Sequence, residues 1–233
     1  MKRLVAALFA FLCLGFLSPL VAAPLTAPAG LAPGTHFRFI YLTSGATQAT
    51  SSDIADYNSF VQSEASGSTF AGATVNWKAV ASTATVNARD NIGGYGTSVP
   101  VYLVTGTRVS DNLTTSAGGL WSGTLLAAPR VQIDGTVVGI SQVWTGSTAD
   151  GTAFTGNALG VFAPKVGTAT ATNGAWMNDG DIPYFLSLRL YAVSEELVVP
   201  PSATPVPTLT EWALALMLVM LMMVGWYAQR KVS

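Results

Sequence analysis

"SSDIADYNSFVQSEAS", residues 51–66, is the best helical stretch between the two ends of the chain. Ser52 or Asp53 can cap it, because a short side-chain oxygen accepts from the free N–H groups of a first turn. Ile54, Tyr57, Phe60 and Val61 recur at helical spacing and form one apolar stripe. Gly67 ends it. Just before this helix, "HFRFIYLTS" (36–44) alternates as a strand, with Phe37, Phe39 and Tyr41 on one face. After it, "NWKAVAS" (76–82), "VPVYLVTG" (99–106), "RVQIDG" (130–135), "VVGISQVWTG" (137–146) and "SLRLYAVSEEL" (187–197) read as strands. Gly and Asp-Gly turns separate them, notably Asp134-Gly135 and Asp150-Gly151. One early helix with many short strands predicts an α+β domain over residues 36–198, behind a leader at 24–35. No internal repeat of fixed period is present.

The 233 residues carry 11 Lys and Arg against 12 Asp and Glu, and the bases are not clustered. Nucleic acid is therefore not an expected partner, since phosphates demand grouped Lys and Arg. The one cysteine, Cys13, lies in the first hydrophobic segment. The middle of the chain is free of thiols, with no disulfide framework and no Cys-based metal site.

Both ends are apolar. "MKRLVAALFAFLCLGFLSPLVAA" (1–23) reads as a secretory signal peptide, with Lys2 and Arg3 ahead of an apolar run from Leu4 to Leu17. Ala22 and Ala23 offer a cleavage site, and an uncleaved anchor is the alternative. At the other end, residues 212–228 carry no charge and read as a transmembrane helix. At 1.5 Å per residue they reach about 25 Å, slightly short of a typical hydrocarbon core. Arg230 and Lys231, in a basic tail at 229–233, would lie in the cytoplasm and leave the body of the protein across the membrane. Trp212 at one edge and Trp226 with Tyr227 at the other suit the two interfaces. The Pro-rich linker 199–211 favours extended, exposed backbone that a protease can grip.

"VPTLTEW" (206–212), the apolar run and "QRK" (229–231) together resemble the IPTL-CTERM sorting signal, a relative of the PEP-CTERM tails. Val206, Pro207, Thr208, Leu209, Glu211 and Trp212 carry the likeness, followed by Arg230 and Lys231. Val206 stands where Ile is usual, and Ala213 where Gly is common. The resemblance implies export by Sec in a Gram-negative bacterium and a transient stay at the cytoplasmic membrane. It further implies cleavage near Pro207–Thr208 by an exosortase-like protease, and delivery to the envelope, cell surface or extracellular matrix. Such proteins often accompany extracellular polysaccharide. A permanent single-pass anchor is the alternative.

The order "ADYNSFVQSEA", "WKAVAS", "VPVYLVTGTRVSDN", "GLWSGTLLAAPRVQIDGTVVG", "VWTGSTADGTA" and "LRLYAVSE" resembles the endostatin-like branch of the C-type lectin-like fold. The likeness runs from about Phe37 to Glu196 and is sharpest in "VWTGSTADG" (143–151), then "LWSGTL" (120–125). Relatives often tie the helix to the last strand with a disulfide. Ser59 and Ala192 stand where those cysteines are expected.

Candidates for chemistry are few. His36 is the one histidine, and no G-x-S-x-G elbow accompanies it, so no catalytic residue is assigned. A lone histidine with scattered carboxylates is a poor start for zinc. In "WMNDGDIPY" (176–184), Trp176, Asn178 and Asp179 faintly resemble the stretch by which true C-type lectins hold calcium and sugar, and Asp181 follows. Calcium needs six to eight oxygens. Met177 interrupts the motif and no Glu-Pro-Asn partner lies upstream, so no cofactor is expected. Trp77, Trp121 and Trp144 read as core residues, whereas Trp176, among polar and Gly residues, reads as exposed. The expectation is a non-enzymatic surface module. The alternatives are a carbohydrate- or calcium-binding module on Trp176, Asn178, Asp179 and Asp181, and a hydrolase centred on His36 or the Asp179–Asp181 pair.

Overall fold

In the computed structural model, which describes residues 24–201 and 209–230, the first strand β1 runs over His36–Leu42. Its alternation holds: Phe37, Phe39 and Tyr41 enter one apolar cluster, while Ile40 and Leu42 enter a second. Every residue after His36 is buried, because cover lies on both faces. Arg38 is the polar member of this strand. Its Nη1 donates to the carbonyls of Ile92 at 2.7 Å and Ser194 at 3.2 Å. Burial lowers the guanidinium pKa from its ordinary value, against the pull of Glu196 and Glu195.

The remaining elements follow in chain order. They are β2 (Thr47–Gln48), helix α1 (Ile54–Glu64), β3 (Thr69–Phe70), β4 (Ala73–Thr74), β5 (Trp77–Ala79) and a short helix α2 (Ala88–Ile92). Then come β6 (Val101–Leu103), β7 (Arg108–Ser110), β8 (Gln142–Trp144), β9 (Lys165–Thr168) and a 3₁₀ turn at Gly174–Trp176. β10 (Gly180–Asp181), β11 (Ser187–Ser194), β12 (Leu197–Val198) and helix α3 (Leu209–Arg230) complete the described chain. The result is mixed α+β, mostly strands with one main helix in the domain.

The strands join in one mixed sheet in the order β10-β9-β8-β11-β1-β6-β7. β11, the longest strand, is its spine. It pairs antiparallel with β1, Tyr41 opposite Ala192, and parallel with β8, Leu190 opposite Trp144. It also pairs antiparallel with β5, Ala192 opposite Ala79, so β11 holds segments from the whole length of the domain. β3 and β4 form a separate hairpin.

α1 covers one face. Asp53 is its N-cap, with Oδ1 accepting from the Ala55 N–H at 2.9 Å. Tyr57 and Val61 are buried, and half-buried Ile54 and Phe60 flank them on the same cluster. The Tyr41 hydroxyl donates to the Val61 carbonyl and ties helix to strand. Loops, α2 and the 3₁₀ turn cover the other face with Trp121, Trp176 and Ile92. The stretches 143–151 and 120–125 meet here. Gly151 takes φ +79°, and a Cβ on it would come within 2.5 Å of the Trp121 ring.

Some expectations change. "RVQIDG" is not a strand of the sheet. It folds back at Asp134-Gly135, with Gln132 N–H donating to Thr136 O, and forms only an isolated bridge between Val131 and Val137. The leader packs on the domain: Leu25 N–H donates to Thr69 O, and Leu25, Ala27 and Leu31 pack on the α1-side cluster. The positions where a disulfide is expected by resemblance are unlike each other, since Ser59 is exposed and Ala192 fully buried.

The described chain divides into two units at Pro200 and Pro201. In the second, α3 forms over 22 residues. The expectation of a transmembrane helix is nevertheless corrected: among the described residues no helix is long and apolar enough to cross a membrane. The segment read as a signal peptide, residues 1–23 with Cys13, most of the linker, and Val206, Pro207, Thr208 and Lys231 lie outside the described residues.

Candidate functional site

The stretch from Trp176 to Asp181 lies where the 3₁₀ turn leads into β10 at one edge of the sheet. Asn173 caps the turn, its Oδ1 accepting from Ala175 N–H at 3.1 Å. This geometry drives Trp176 inward. Its relative exposure is 0%, with its ring 6.1 Å from that of Trp121 and 5.5 Å from that of Tyr191. The expectation of an exposed indole is therefore corrected. The ring packs against Trp121 and Tyr191, and Gly167 of β9 leaves room for the Trp176 carbonyl.

The polar members stay at the surface. Asn178 is half-buried, and Asp179 and Asp181 are exposed. Asp179 N–H donates to Val166 O at 2.7 Å, and its Oδ2 accepts from Thr168 Oγ1 at 2.5 Å. Asp181 faces Lys165 across the β9–β10 pair, with Nζ to Oδ1 at 3.2 Å. Each carboxylate therefore has its own partner on β9. The described residues contain no group of three or more His, Cys, Asp or Glu able to hold a metal ion. Thr168 and Lys165 belong to β9, a strand whose sequence, "KVGT", gives no strong strand signal, and sequence reasoning did not connect them with the two acids.

The other candidates disperse. His36 Nδ1 pairs with Glu196 Oε1 at the exposed start of β1. Trp77 and Trp144 are buried with their N–H groups satisfied, by Ser68 Oγ at 3.0 Å and Thr47 O at 2.9 Å. Trp121 is buried too, but its indole N–H and that of Trp176 meet no acceptor. Asp150, seen in sequence only as half of a turn, is a hub. Its Oδ1 accepts from the Thr148 hydroxyl, from the Thr152 hydroxyl at 2.7 Å and from the Thr152 N–H at 3.1 Å. Arg89 lies 3.8 Å from its other oxygen. Partial burial pushes this carboxyl up, but the Thr148 and Thr152 hydrogen bonds, helped by Arg89, outweigh it and hold the pKa below its ordinary value.

In the tail, Leu209, Glu211, Trp212 and Arg230 all fall within α3. Along 215–223 every described side chain is exposed, from Leu216 through Met217, Met220 and Met223. This is a continuous apolar surface with no polar face, unlike an amphipathic helix of a folded domain.

Residues 204–231 match the IPTL-CTERM motif. This match supports the sorting-tail assignment and suggests an exported protein handled by an exosortase-like system. No curated protein matches the chain.

Proposed function

We propose that this is a non-enzymatic, exported module of the cell surface or extracellular matrix. A signal at its N-terminus sends it through Sec, and its C-terminal tail holds it at the cytoplasmic membrane of a Gram-negative bacterium until an exosortase-like protease cuts it. The observation that carries this reading is the motif match over residues 204–231. The exposed apolar surface of α3 supports it, because such a helix needs lipid or protein around it. We further read the domain as C-type lectin-like, of the endostatin-like branch. Support comes from the early helix α1, which shares one apolar cluster with β11, the last long strand.

Mass spectrometry of the protein recovered from the cell surface tests the sorting reading. The expected mature C-terminus lies upstream of α3, near Pro207–Thr208. Recovery of intact chain ending at Ser233 would replace processing by permanent retention.

A carbohydrate- or calcium-binding site on Asn178, Asp179 and Asp181 is a weaker second reading. Only the exposure of the two acids favours it, and their oxygens are already engaged by Thr168 and Lys165. Glycan binding that ignores calcium and survives Asp179→Ala would reject it.

A further inference from the structure

A cleft of about 500 Å³ opens beside the end of β6. Three separate chain segments build it: residues 103–107, 127–137 and 170–172. Its volume falls in the range of about 300–1,000 Å³ typical of small-ligand sites. Buried Leu103 and Val131 line it as an apolar base. Around them stand Thr105, Thr107, Thr170 and Thr172, none of whose hydroxyls hydrogen-bonds to another described residue.

Arg130 completes the cleft and is exposed. Its guanidinium has no partner among the described residues. The other arginines of the domain are engaged. Arg38 and Arg189 donate to carbonyls, and Arg89 and Arg108 face Asp150 and Asp111. The acid nearest in sequence to Arg130, Asp134, accepts from the Thr136 N–H at 2.9 Å within its own turn.

We propose that this cleft binds a carboxylate-bearing sugar, a uronate unit of an acidic polysaccharide. A free guanidinium presents a planar fork that matches a carboxylate in two hydrogen bonds. Hydroxyls both donate and accept, as sugar hydroxyls require of their partners. The apolar base offers contact to the C–H face of a pyranose ring. The cleft holds a single cation and no aromatic ring, so it lacks the grouped charge that a polyphosphate needs and the platform that a nucleobase needs. The inference concerns the domain alone and stands whether or not the tail is cut.

The test is isothermal calorimetry on the full chain in detergent, titrated with tetragalacturonate and with the same oligomer methyl-esterified at every carboxylate. The acidic oligomer should bind at least tenfold more tightly than the ester. Arg130→Ala should lose at least tenfold for the acid and little for the ester, with Arg130→Lys in between. The Thr170→Val, Thr172→Val double variant should weaken both oligomers several-fold. Lys78→Ala removes another unpaired cation, away from the cleft, and should change nothing. Tryptophan fluorescence checks that each variant is folded. No heat with tetragalacturonate, equal affinity for acid and ester, or equal losses in Arg130→Ala and Lys78→Ala would overturn the proposal. Mass spectrometry of the termini reads the sorting question separately.

Discussion

Asn58 and Asn91 exchange a reciprocal pair of amide hydrogen bonds. Asn58 Nδ2 donates to Asn91 Oδ1 at 2.9 Å, and Asn91 Nδ2 donates to Asn58 Oδ1 at 2.8 Å. Together they close the free edge of β5. Asn58 Oδ1 accepts from the Ala79 N–H at 2.9 Å, and Asn91 Nδ2 donates to the Ala79 carbonyl at 2.7 Å. Gln62 does the same one step along, with Oε1 accepting from Trp77 N–H and Nε2 donating to Val75 O. Side chains of α1 and α2 thus take the place of a missing neighbour strand. This satisfies backbone groups that would otherwise be left unpaired under a helix.

Asn58→Ala and Asn91→Ala should each destabilise the domain by about 1–3 kcal/mol, because each strands polar groups of Ala79 and of the partner amide. The double variant should cost less than the sum, with a coupling of about 1 kcal/mol or more. Urea unfolding followed by tryptophan fluorescence measures all three. Strict additivity would show that the two amides act independently.

Asp150 predicts an acid limb. Its folded pKa is depressed, so its contribution to stability is complete above the unfolded value near 3.8 and is lost as pH falls through the lower folded value. Stability should fall below about pH 4 in part through this group. Asp150→Asn should flatten that limb while lowering stability at neutral pH. An unchanged slope in the variant would remove Asp150 from the acid response.

Tyr191 predicts the opposite limb. Its hydroxyl is buried without a partner, and burial pushes the phenol well above its ordinary 10.0. A raised folded pKa gives stability that is complete below the unfolded value and lost as pH rises above it. Tyr191→Phe should be neutral or mildly stabilising at pH 7, since no hydrogen bond is lost. It should also reduce the loss of stability above pH 10. A cost above about 2 kcal/mol at pH 7 would show that the hydroxyl has a partner.

Gly151→Ala should destabilise by about 1–3 kcal/mol, from contact with the Trp121 ring and from the left-handed backbone that Gly151 adopts. Its near-ultraviolet circular dichroism should change with the Trp121 environment. A neutral effect on the chevron or urea midpoint would mean the loop shifts freely.

Trp176→Ala should act as a core truncation. Loss of a fully buried indole costs about 3–5 kcal/mol, and any loss of ligand binding should track loss of fold. Retention of full stability would return Trp176 to the surface.

What the sequence determined by itself was local. The Asp53 cap, the Tyr57 and Val61 stripe, the two-residue alternation of β1 and the composition of the tail are all encoded within a few residues. Their physical causes, free N–H groups, helical spacing and pleat, act over that same short range. The partial failure at "RVQIDG" has the opposite cause. Its residues suit a strand, but strand pairing is a relation between distant segments, and here only the Leu42 N–H reaches it from β1, at the Val131 carbonyl, while Gln132 and Arg130 bond within the local turn to Thr136 and Val138. β9 shows the converse, a weak local signal made into a strand by β8 and β10 on either side.

Only the tertiary structure decided which side of the surface each aromatic and ion took. Trp176 sits among polar and Gly residues in sequence, yet Trp121 and Tyr191, far away along the chain, provide its enclosure. Asp179 and Asp181 look like a pair, yet pairing of β10 with β9 gives each a separate partner. The cleft around Arg130 is likewise assembled from segments near residues 105, 130 and 171. Burial and partnership depend on what covers a residue, and that cover comes from parts of the chain no local pattern can point to.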